Sequence, residues 1–328
     1  MATAYITPIV KPSFKPSFRV WTDASDFAWG GFYPGCTVFA QGYLTLIERL
    51  GSSTARELIA ILYVLRAFVH MLKPGDCVLV NTDSQNAEII INGGGSTNLE
   101  LHQITLDILV FAISRGVKIR AHGIPREKNM IADYISKIFD KDDWMLNPVL
   151  FAMLDALWGR HDIDRFGSHL NHLVDRFNSY FWCPDTEGID AFAFHWGNLN
   201  NWINPPFRLI AQVWRHLREC RAAATLIIPC WPKQYWWSVI CPDGVHFTRD
   251  VVDWRELGAM AQDAGIDSDQ IFFSGTHKGS EEGVVPPTYR LFALRVSFQD
   301  DAKPLRVSRC TLGGCSSCDF GRNCFPVG

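Results

Sequence analysis

The order of apolar and polar positions divides the first 140 residues into short alternating runs and longer helical stripes. From Arg19 to about Leu46 the β-formers Val20, Thr22 and Phe27, with the Pro34-Gly35 turn and the Gln41-Gly42 kink, predict three consecutive antiparallel strands. A helix follows, capped by Ser52, Ser53 or Thr54. Leu58, Ile61, Leu62, Leu65, Phe68, Val69 and Leu72 recur at its spacing, and Glu57 is placed in its first turn. Lys73-Pro-Gly-Asp76 ends it, and Cys77–Thr82 reads as a short buried strand running into Asp83-Ser84. A small helix to Ile91, the Gly93-Gly94-Gly95 break, a helix over 99–114, a strand over 117–122 and a last helix from near Asn129 complete the pattern. The order βββ-α-β-α-β-α predicts an α/β fold with a mixed five-stranded sheet and helices on its faces.

The second half alternates strand and helix again. A charged stretch at 140–143 leads into an amphipathic helix with Pro148 near its start. A strand over 161–168, a strand into Asn204-Pro205-Pro206-Phe207, a helix over 209–220 and strands over 224–232 and 290–296 predict a second α/β domain. The expected division is a lead-in over 1–18, a first domain over 19–140, a second over 145–300 and a tail over 301–328.

Composition narrows the class. The 328 residues suit two domains, and 12 Trp with 22 Phe support packed cores. The net charge of −3 leaves no global basic field, so a nucleic-acid partner must be held by local patches. No run of about 18 apolar residues and no basic-then-apolar leader is present, so neither a membrane span nor a secretory signal is expected. Six scattered cysteines (Cys36, Cys77, Cys183, Cys220, Cys230 and Cys241) fit reduced thiols of an intracellular protein, nuclear or cytoplasmic.

Chemistry concentrates on four acids. Asp23 stands inside an apolar strand, where a carboxylate is costly unless paired or bound to metal; the plain alternative is a turn cap at the strand end. Glu57, Asp83 and Asp133 occupy a helix, a strand end and the last helix. Carboxyl ends of strands are where open α/β sheets build sites. Four carboxylates meeting there repel one another unless hard divalent cations, Mg²⁺ or Mn²⁺, neutralise them. Two such ions suit in-line displacement at a phosphodiester.

Trp21-Thr-Asp-Ala-Ser25, Glu57-Leu-Ile-Ala-Ile61, Asn81-Thr-Asp-Ser84 and Pro125-Arg-Glu-Lys-Asn-Met-Ile-Ala-Asp133 resemble, in order, the four acid-bearing segments of ribonuclease H domains attached to reverse transcriptases. The resemblance spans about residues 18–140. It implies a ribonuclease H-like fold, Asp23, Glu57, Asp83 and Asp133 as metal-binding catalytic acids, and cleavage of the RNA strand of RNA–DNA hybrids. His122 matches the family's loop histidine one residue out of register. The 3′–5′ exonucleases of the same fold carry Asp-x-Glu on the first strand, where this chain has Asp23-Ala-Ser25. No polymerase signature is present, so a reverse transcriptase domain or chain is expected upstream or as a partner.

Asn204-Pro-Pro-Phe207 resembles the catalytic motif of N6-adenine DNA methyltransferases, and residues 145–240 resemble phage-type members and the domain after ribonuclease H in DIRS-like retrotransposon polyproteins. That implies a Rossmann-like methyltransferase fold, base stacking on Phe207, and S-adenosylmethionine near Asp164, Gly167 and Asn171. A glycine-rich donor loop is missing, and a rigid turn is the plain alternative. Cys310, Cys315, Cys318 and Cys324 have the ligand number for Zn²⁺ at irregular spacing, or form a reduced tail. Three functions stand together at this level: a retroelement-derived hybrid nuclease, a DNA adenine methyltransferase with a nuclease partner, and a scaffold whose two enzyme-like domains are degenerate.

Overall fold

The computed structural model describes residues 14–35, 39–138, 144–274 and 290–298. The first part of the lead-in, Cys36, Asp142-Asp143 and the four tail cysteines, Cys310, Cys315, Cys318 and Cys324, lie outside the described residues.

β1 (Phe18–Ala24), β2 (Ala28–Phe32) and β3 (Phe39–Tyr43) form an antiparallel meander. After them come α1 (Leu46–Leu50), α2 (Ser53–Ala67), β4 (Cys77–Thr82), α3 (Gln85–Gly93), α4 (Leu99–Arg115), β5 (Lys118–Gly123) and α5 (Met130–Ile135). β4 and β5 add parallel to β1, giving a mixed five-stranded sheet of order β3-β2-β1-β4-β5.

Two adjacent glycines let a helix approach each face of this sheet. Successive strand residues point to opposite sides. A Cβ on Gly31 would lie 2.5 Å from Val64 Cγ2 of α2, and one on Gly30 would lie 2.5 Å from the Ser136 nitrogen just past α5. The α2 side carries the core, with Trp29, Leu58, Ile61, Leu65, Phe68, Val78 and Val80 buried together. α5, only six residues long, covers parts of β1, β2 and β3 on the opposite side. The contacts of α5 fall on β1, β2 and β3, while α3 borders β5 through Asn92 and Ala121.

The second half contains β6 (Trp144–Leu146), α6 (Pro148–Trp158), β7 (Ile163–Asp164), β8 (Asn178–Ser179), β9 (Gly188–Ile189), β10 (Asn200–Ile203) and α7 (Ile210–Glu219). It continues with β11 (Ala223–Pro229), α8 (Trp237–Ile240), β12 (Val251–Glu256), α9 (Leu257–Asp263), β13 (Phe272–Ser274) and β14 (Leu291–Ser297). The second sheet has the order β12-β14-β11-β10-β7. β7, β10 and β11 run parallel, while β14 runs against both β11 and β12. β11 is buried along its whole length, as a strand with helices on both faces must be. Its sides face two apolar clusters, one around Trp196, Trp214 and Phe292 and one around Leu150, Trp202 and Leu257.

The two sheets meet through residues 169–185. Trp182 bridges to Ala40, receiving a bond from Gln41 N at 3.0 Å and donating to Phe39 O at 3.1 Å, so it extends the first sheet beyond β3. Phe177 and Cys183 are buried in the first core, and Arg66 pairs with Asp185 at 2.9 Å. No described helix is long and apolar enough to cross a membrane.

Candidate metal centre

Asp23 lies near the carboxyl end of β1, within contact of both α2 and the α5 segment. It is 5% exposed, and the Ser136 hydroxyl donates to its Oδ2 at 2.6 Å. Two further bonds hold the α5 segment against β1: Asn129 Nδ2 donates to Thr22 O at 3.0 Å, and Ser25 Oγ donates to Ser136 O at 2.7 Å. Burial pushes the Asp23 carboxyl up to about 6, partly offset by Ser136 and reinforced by Asp83 and Asp133.

Glu57 comes from α2, which Ser52 caps by accepting from Ala55 N. The first turn of α2 holds no acid; Glu57 sits one residue beyond it, a small correction to the sequence expectation. Glu57 Oε2 is enclosed and has no hydrogen-bond partner. Burial first, then Asp23 and Asp83, hold this carboxyl well above the usual range. Asp83 is supplied by the end of β4, immediately before Ser84 caps α3.

One carboxylate oxygen from each of Asp23, Glu57 and Asp83 lies within 4.8 Å of the other two. Three carboxyl oxygens at that separation, beside an enclosed and unpartnered Glu57 Oε2, fit a hard divalent cation such as Mg²⁺ or Mn²⁺. Neither Asp133 nor His122 belongs to this group. Lys137 Nζ contacts both Asp133 oxygens at 2.6 Å and Arg126 contacts one at 3.0 Å, and these cations, Lys137 first, hold its carboxyl below the usual range. His122 is exposed on β5 with Nδ1 3.9 Å from Glu88 Oε1. Ser136 and Asn129 were not expected from the sequence. Their contacts join residues more than a hundred positions apart, and no periodicity reports that.

The second expected site is arranged differently. Asn204 follows β10, as expected, with its Nδ2 donating to Trp144 O at 2.6 Å. Pro205 is buried and Pro206 opens the single 3₁₀ turn Phe207–Leu209. The Phe207 ring stands edge-on to Trp231 with centroids 5.2 Å apart, wedged between the two apolar clusters rather than presented for stacking. Asp164 is 3% exposed, and burial pushes its carboxyl up to about 6. Its oxygens accept from Phe166 N at 3.0 Å and Leu173 N at 3.2 Å. A Cβ on Gly167 would meet His172 Cβ at 2.9 Å, while the Asn171 side chain accepts from Ser168 N. The turn after β7 is therefore folded onto its own strand end, with a backbone N–H on each Asp164 oxygen. Asp164 and Asn171 are thus both engaged with backbone N–H groups of the turn itself.

No protein-family model and no curated protein matches the chain. Among solved structures it is similar to ribonuclease H1 of the archaeon Halobacterium salinarum NRC-1, at 16% identity over 36% of this chain and 92% of that one, TM-score 0.30. It is also similar to LC11-RNase H1 in complex with an RNA/DNA hybrid, at 20% identity over 36% and 92%, TM-score 0.30. A third is the N-terminal ribonuclease H domain of a Mycobacterium tuberculosis protein, at 14% identity over 36% and 91%, TM-score 0.29.

Proposed function

We propose that the first half of the chain is a metal-dependent nuclease of the ribonuclease H type, acting on the RNA strand of RNA–DNA hybrids. The meeting of Asp23, Glu57 and Asp83 within 4.8 Å carries this reading, with the unpartnered Glu57 Oε2 as its sharpest detail. The order of the four acid-bearing segments supports the substrate class and the link to a reverse transcriptase domain or chain in a retroelement-derived protein.

Asp23, Glu57 and Asp83 would hold the cation. When bound, it supplies positive charge at a phosphodiester and favours attack by water there. Ser136 keeps Asp23 turned toward the cluster, and the enclosed position of Glu57 keeps its oxygen clear of bulk water. Asp133 would have to exchange Lys137 and Arg126 for a second ion, so those two cations set how readily a two-ion site assembles.

For residues 145–298 we propose a methyltransferase-like unit without methyl transfer. The three parallel strands, the reversed β14 between β11 and β12, and Asn204-Pro-Pro-Phe207 after β10 support the likeness. The closed turn over Asp164 argues against donor binding.

The test is hydrolysis of an end-labelled RNA–DNA hybrid in Mg²⁺. Cutting of the RNA strand is expected, and an Asp83→Asn protein should lose it by orders of magnitude. Equal cutting by both proteins, or none by either, removes the proposal.

A further inference from the structure

The side of the first sheet that α5 leaves uncovered has a consistent chemistry. Strand pairing places Arg19, Leu79 and Arg120 in one row across β1, β4 and β5, and Trp21, Asn81 and His122 in the next. Asp23 and Asp83 follow at the carboxyl ends of β1 and β4, and Lys118 lies opposite Cys77 at the other end. Because side chains two apart share a face, all these residues stand on one side of the sheet.

Arg19, Lys118, Arg120 and His122 are exposed, and Trp21 and Leu79 are half-buried. Among the described residues Arg19 and Lys118 have no ion pair, and Arg120 is engaged only by the Phe14 ring, 5.0 Å beneath its guanidinium. The acids bordering the face are occupied: Asp76 accepts from Ser17 Oγ at 2.8 Å and from Lys73 N at 2.7 Å, and Glu88 faces His122. A shallow cavity of ≈ 590 Å³ lies here, lined by Phe14, Arg19, Leu79, Asn92, Arg120 and His122.

Unpaired guanidinium groups beside aromatic rings, in a groove, suit a polynucleotide single strand, whose phosphates take the cations and whose bases stack on the rings. We propose that this face is a track for single-stranded nucleic acid, running from the acid cluster past Trp21 and His122 to Arg19, Arg120 and Lys118. It would take the unpaired strand that extends beyond the nuclease site. The continuity with that site rests on the nuclease reading; the binding itself does not.

The experiment is fluorescence anisotropy of a labelled oligothymidylate with the full chain, in EDTA, over a salt series. Wild type should bind with a log–log salt slope that falls in magnitude by about 1.4 in an Arg19→Gln/Arg120→Gln protein, two phosphate contacts being lost. An Arg160→Gln/Lys233→Gln protein, with the same charge removed from the second half, should keep the wild-type slope. Circular dichroism and Mg²⁺ calorimetry on each protein confirm that the sheet and the acid cluster survive. An unchanged slope in the track variant, an equal drop in the control, or no binding by wild type overturns the proposal. Hybrid cutting is read separately. Cutting without strand binding leaves the nuclease and sinks the track; strand binding without cutting does the reverse.

Discussion

The Ser136 hydroxyl donates to Asp23 Oδ2 at 2.6 Å across 113 residues of sequence. Through that bond the residue just past α5 partly offsets the burial that raises the pKa of an acid on β1. Replacing the hydroxyl leaves a buried carboxylate short of a donor, which costs about 1–3 kcal/mol. Ser136→Ala is expected to lower the melting temperature in EDTA and to weaken Mg²⁺ binding, both read by calorimetry.

The acid cluster predicts a metal-dependent stability. Three carboxylates with one unpartnered oxygen destabilise the empty protein, so Glu57→Gln should raise the melting temperature in EDTA. Adding Mg²⁺ at a hundred times its dissociation constant should then stabilise wild type by about 2.7 kcal/mol and Glu57→Gln by little. A variant that responds to Mg²⁺ as wild type does would show that Glu57 holds no ion.

Gly30 predicts a steric effect on the same site. An added methyl would sit 2.5 Å from the Ser136 backbone, so α5 must move. Gly30→Ala should cost about 1–3 kcal/mol, as overpacking does, and should weaken Mg²⁺ binding along with stability. Denaturant midpoints and calorimetry on one preparation check both.

His169 predicts a pH dependence. Its Nε2 donates to Tyr43 O at 3.1 Å, and its enclosed Nδ1 has no partner, so the neutral ring is the one that fits. Burial lowers its pKa from 6.5 to about 4. The unfolded chain therefore takes up a proton first as pH falls, and stability present above pH 6.5 drains away toward pH 4, by about 3 kcal/mol. Asp164, raised to about 6, works in the opposite sense, so the informative quantity is a difference. The stability advantage of wild type over His169→Gln should shrink between pH 6.5 and 4.5 in thermal melts.

The closed turn after β7 makes a binding prediction. Titration with S-adenosylmethionine should give no saturable heat, and no labelled methyl group should reach adenine-containing DNA. Saturable binding would mean that the 166–173 segment opens away from Asp164.

Much of the first unit was legible in sequence because its signals are local. Cys77–Thr82 is an apolar run bounded by Pro74-Gly75 and Asp83-Ser84, and the strand keeps those limits. α1 was missed although Thr45 and Glu48 spell a capping box that the structure forms; five residues are too few to set up a periodicity. Three of the four acids, Asp23, Glu57 and Asp83, lie together. The state of Asp133 was invisible, since Lys137 competes for it one helical turn away and sequence alone cannot say which neighbour wins. The turn after β7 was assigned to a methyl donor through the resemblance alone; no local signal shows that its His169 packs on Tyr43, Trp29 and Tyr63 of the first unit.

The bridge from Trp182 to Ala40, together with His169, means that covalent continuity is not what keeps the halves in register. A protease nick between Ile138 and Trp144 would be expected to yield fragments that co-elute, and two separately expressed pieces to reassemble on mixing. Any shortening of the first piece that drops β3 would deprive the second of its berth.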